Sequence, residues 1–140
     1  MKNESRALAL APLITPFAFE VFAFYTGISG FNMDQGFWTF IGLFLGMAIA
    51  SIPVAYLYMF FLGYRFYRLL VKKQRVNFLT LTLGGMFVAD IPMLLIWPLA
   101  EVSGSISFYQ TFQLFTFVGL MIGLNFWLLL NWDELKAKGR

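Results

Sequence analysis

Two carboxyl groups stand inside apolar runs, Glu20 in "PFAFEVFAF" and Asp90 in "MFVADIPML". A carboxylate in low dielectric needs a cation, a proton or a hydrogen-bond donor, and no Lys or Arg lies within any apolar run of the chain. At least one of the two is therefore expected to be protonated or bound to something. Such groups serve membranes in three ways: they bind H⁺ or Na⁺, they dock on another protein's helix, or they hold neighbouring helices together. The prolines bear on the first. Pro92 removes the N–H that would serve the carbonyl of Val88, two residues before Asp90, and Pro16 does the same to the carbonyl of Pro12. A broken helix beside an acid is the pattern of intramembrane ion sites, where freed carbonyls and carboxylates coordinate together. Pro12, Pro16, Pro53, Pro92 and Pro98 equally suit helices that are only being shaped.

The elements that carry these acids follow from composition. Apolar residues make up 60% of the chain and charged residues 12%, with a mean hydropathy of +0.75. Soluble domains average about 45–50% and about 25%. An all-α integral membrane protein is expected, and 140 residues leave room for one compact domain. Four apolar runs, near 7–29, 38–63, 78–99 and 108–131, predict a bundle of four transmembrane helices. The connections "SGFNMDQG", "YRFYRLLVKKQRVN" and "AEVSGSIS" carry turn chemistry or charge. A cleaved signal peptide over residues 1–22 is the other reading of "MKNESR" followed by "ALALA". Against it stands an apolar run longer than the 7–15 residues of a usual signal core.

The cations set the orientation. Lys2 and Arg6 precede the first run, Arg65, Arg68, Lys72, Lys73 and Arg75 lie between the second and third, and Lys136, Lys138 and Arg140 follow the fourth. These are all ten, and the other two connections hold only Asp34 and Glu101. Both termini and the basic loop 64–77 are expected in the cytoplasm, across a plasma membrane of the bacterial inner-membrane kind. Trp38 and Trp97 would mark the outer interface and Trp132 the inner one. The basic residues recur at helical spacing, so the second helix is expected to run on into the interface. There Arg65, Arg68, Lys72, Lys73 and Arg75 either fix topology or meet anionic lipid, at about 1 kcal/mol per cation.

Depth then relates the acids. Glu20 lies 14 residues beyond Arg6 and Asp90 13 beyond Asn77, placing both roughly 20 Å from the inner boundary. The same count reaches Ser51 in the second run and Gly119, one turn from Thr116, in the fourth. Glu20, Ser51, Asp90 and Thr116 can thus form one polar layer. Small residues mark the packing faces: Gly42 and Gly46, extended by Ala50, and Gly119 with Gly123, at about the depth of Gly84 and Gly85. The third and fourth helices are expected to meet at those glycines. Packing within the chain and contact with another copy or subunit are equally served by such motifs. The 18 Phe and six Tyr are bulk for core and lipid, or the lining of a lipid or quinone cleft.

With neither Cys nor His, the chain has no disulfide, no Cys/His zinc site, no histidine-ligated haem and no histidine base. No enzyme, cofactor or metal is expected, and a net charge of +3 gives nucleic acid no footing. In its four short spans and a glutamate in the first of them, Glu20, the layout resembles the small multidrug resistance transporters. It departs from them in placing every cation on one side, and no motif beyond the lone acid aligns. In topology alone it also looks like some immunity proteins against pore-forming colicins. Two functions are expected. One is a membrane interaction protein, such as an accessory subunit, assembly factor or immunity-type protein, meeting another membrane protein or further copies of itself in the bilayer. The other is a small transporter or channel-forming oligomer coupled to H⁺ or Na⁺ through Glu20 and Asp90.

Overall fold

A computed structural model describes residues 2–26, 37–100 and 108–138, and all the regular structure among them is helical. In order these are α1 (Lys2–Leu10), a 3₁₀ turn (Ala11–Ile14), α2 (Thr15–Thr26), α3 (Phe37–Tyr58), a π turn (Met59–Gly63), α4 (Tyr64–Lys72), α5 (Phe78–Ala100), α6 (Phe108–Leu130) and α7 (Trp132–Lys138). Three helical stretches are long and apolar enough to cross a membrane, Asn3–Thr26, Phe44–Lys72 and Phe108–Leu130, which is consistent with a membrane location. Over the described side chains α5 is apolar from Phe78 to Ile91. Asp34, Glu101, Arg140, both outer connections and residues 27–29 lie outside the described residues, as does the side chain of Trp97.

The first apolar run is one helical stretch, Asn3–Thr26, that tightens at Ala11–Ile14. Pro12 and Pro16 each lack an N–H, so the carbonyls one turn earlier lose their donors. The chain tightens into a 3₁₀ turn, and the backbone N–H of Thr15 turns to the Pro12 carbonyl, joined there by the Thr15 hydroxyl at 2.7 Å. In an α-helix that N–H would have served Ala11. The Ala11 carbonyl, which the 3₁₀ turn pairs with the Ile14 N–H, also accepts from Asn125 Nδ2 of α6 at 3.3 Å, and the Ala9 carbonyl accepts from the Tyr56 hydroxyl of α3. Pro92 behaves differently. The helix α5 runs unbroken through it, as α3 does through Pro53, so the expected break beside Asp90 is absent. Helix α5 has α6 along its flank, and neighbouring helices help a membrane helix tolerate a proline.

The second run continues past the apolar stretch as expected, from Phe37 through the π turn to Lys72. Gln74, in the left-handed region at φ 52°, closes α4, with the Arg75 N–H donating to the Leu70 carbonyl at 3.0 Å. Three residues later Asn77 opens α5: its Oδ1 accepts from the Thr80 N–H at 2.8 Å while its own N–H donates to Thr80 Oγ1 at 3.1 Å. Arg65, Arg68 and Lys72 lie exposed on α4, while Tyr67 on the opposite face is buried edge-on against Phe126, 5.1 Å between centroids.

The buried core sits at this basic end, where Ala7, Ala11, Tyr67, Leu81 and Phe126 converge from four helical stretches and the 3₁₀ turn. Asn3 clasps the chain ends together there, Nδ2 donating to Asp133 at 2.9 Å and to the Leu130 carbonyl at 3.4 Å.

Candidate functional site

The polar layer drawn from depth resolves into one pair and two separate groups. Thr116 Oγ1 lies 2.9 Å from Asp90 Oδ1 and 3.2 Å from Oδ2, across the α5–α6 contact. The same hydroxyl is 2.9 Å from the Phe112 carbonyl of its own helix. One hydroxyl proton serves one of these acceptors at a time. A proton on Asp90 completes the chain, carboxyl to Thr116 and Thr116 to Phe112, leaving no lone pair facing another.

Glu20 is partly buried on α2, whose main neighbours are α3 and α6, and it has no hydrogen-bond or ion-pair partner among the described residues. No hydrogen bond joins it to Asp90. The Ser51 hydroxyl is buried on α3 and also unpartnered among the described residues.

Between these groups lies a cavity of about 310 Å³. It is walled by Met47, Ser51 and Tyr58 of α3, Met59 and Gly63 of the π turn, Gly85 and Val88 of α5, and a face of α6 from Leu114 to Phe126. Met59 and Gly63 of the π turn both belong to this wall. Almost the entire lining is apolar. Neither Asp90 nor Thr116 lines it, and no group of three or more acids capable of holding a metal occurs among the described residues.

The glycines divide as sharply. A Cβ on Gly119 would run into the Gly85 carbonyl and stand 2.6 Å from the Ala89 Cβ. A Cβ on Gly85 would run into the Gly119 carbonyl, and one on Gly123 into the Leu81 carbonyl. Gly84 meets no glycine and receives the Phe66 ring. Thus α5 and α6 touch backbone to backbone through Gly85, Gly119 and Gly123. Gly42 and Gly46 have nothing within 4 Å of a Cβ position, and with Ala50 they are exposed. Among the described residues this face of α3 is open.

Two working residues escaped sequence reading, Asn125 and Tyr56, which satisfy the broken first helix. A lone Asn in the apolar "IGLNFW" was the available signal for the first. Nothing distinguishes Tyr56 from the chain's other tyrosines. No protein-family model matches the chain, and neither does any curated protein or solved structure.

Proposed function

We propose that the chain is a small multi-pass membrane interaction protein that meets another membrane helix through the Gly42–Gly46–Ala50 face of α3. In this reading it crosses the membrane four times with both termini and the 64–77 loop in the cytoplasm, in a plasma membrane of the bacterial inner-membrane kind. It acts as an accessory subunit, assembly factor or immunity-type protein. The observation that carries the reading is the open glycine face, because small residues let backbones approach where lipid supplies no force to join helices. Asp90 has its partner in Thr116 and is glue within the chain, so docking falls to glycines rather than to the acid. The test is purification of the tagged protein in mild detergent beside Gly42→Leu/Gly46→Leu. A stoichiometric partner or second copy retained by wild type and lost by the variant is expected; equal recovery by both refutes the reading.

One observation favours ion coupling instead: Glu20, a partly buried carboxyl without a partner among the described residues. Reconstituted liposomes would then carry H⁺ or Na⁺, and Glu20→Gln would abolish the flux. A flux that survives Glu20→Gln removes that reading.

A further inference from the structure

The cavity has a shape that limits what can fill it. Along α6 its wall runs from Leu114 to Phe126, 12 residues or roughly 18 Å of helix. A volume of about 310 Å³ is far below the roughly 1,400 Å³ that 18 Å of a helix 10 Å across would fill. The cavity is of a size for a hydrocarbon chain rather than for a helix.

Its surroundings point the same way. Helix α3 packs on α2 and makes little contact with α5, so the wall is open to the side between α3 and α5, where Val54 is 46% exposed. A cleft open sideways in a bilayer opens onto acyl chains. Its lining offers almost no polar surface to pair with a ring carbonyl or an amide, and such groups are costly to bury unpaired. At the Phe66–Leu81 end begins the basic segment, with Arg65, Arg68, Lys72, Lys73 and Arg75 all exposed and no acid between 64 and 77. Lys73, the residue that caps α4, stands seven residues beyond Phe66.

We infer that the cleft between α3, α5 and α6 holds one acyl chain of an anionic phospholipid, its headgroup at the basic end and its tail toward Met47 and Leu114. Apolar fit supplies affinity, and the cations choose the headgroup.

The probes are dioleoylphosphatidylglycerol and dioleoylphosphatidylcholine, added to the delipidated full chain in detergent and counted by native mass spectrometry. One phosphatidylglycerol per chain is expected, with phosphatidylcholine held at least about tenfold more weakly. Ser51→Phe blocks the cavity and removes its unpartnered hydroxyl, so it is expected to lose the lipid while staying as stable as the delipidated wild type. Retention of the lipid by Ser51→Phe, or equal binding of the two headgroups, overturns the inference. The wild type tests it independently of any variant. Phosphatidylglycerol with a mid-chain diazirine should crosslink to the Ser51–Tyr58 wall and to Val88, whereas adducts spread evenly over exposed Ile49, Phe60 and Phe87 overturn it.

Discussion

Gly119 and Gly123 on α6, and Gly42 and Gly46 on α3, stand in the same G-x-x-x-G spacing on helices of similar length and apolarity. Around the first pair α5 comes so close that no side chain fits between the backbones; around the second, the described residues leave open space. What separates them is the partner helix. Gly85 and Ala89 stand opposite Gly119, so two small surfaces meet and dispersion contacts accumulate. Among the described residues nothing of that kind faces Gly42. A small-residue motif is therefore half of a contact, and its role is set by what is opposite.

Gly119→Ala is the most damaging way to probe the packed seam. Its methyl enters the space of the Gly85 carbonyl, and overpacking of this kind costs about 1–3 kcal/mol or more, readable by unfolding in detergent. Next comes Asn125→Leu, two residues beyond the seam, which removes the side-chain bond to the Ala11 carbonyl. A loss of about 0.5–1.5 kcal/mol is expected for one hydrogen bond removed, with extra protease cleavage near residues 9–15 as the second readout. Thr116→Val, one turn before Gly119, removes the bond to Asp90 and should cost only about 0.6 kcal/mol, the average for polar contacts between membrane helices. The open face gives the smallest change: Gly46→Ala should alter stability by no more than about 0.5 kcal/mol. If Gly46→Ala proves as costly as Gly119→Ala, the distinction between the two motifs collapses.

The sequence showed which segments are apolar helices, because burial of apolar surface in lipid is written in hydropathy. The start of α5 and the continuation of α3 into the basic loop were equally readable. Rotation was not. When lipid and protein neighbours are both apolar, one face of a helix looks like any other. That is why depth placed Glu20, Ser51, Asp90 and Thr116 in one layer while only Asp90 and Thr116 share a bond. The prolines make the same point. Pro12, Pro53 and Pro92 carry one local signal, and only the stretch from Pro12 to Pro16 breaks its helix. Side chains that donate to carbonyls at the break, Tyr56 and Asn125, come from distant parts of the chain, whereas α5 stays helical along α6.

Those distant donors also tie the segment to the rest of the chain. The Ala9 carbonyl accepts from a hydroxyl 47 residues later in the chain, and the Ala11 carbonyl from an amide 114 residues later. The 3₁₀ turn therefore reaches its finished hydrogen bonding only with α3 and α6 beside it, and a chain that lacks α6 leaves that turn without its side-chain clasp.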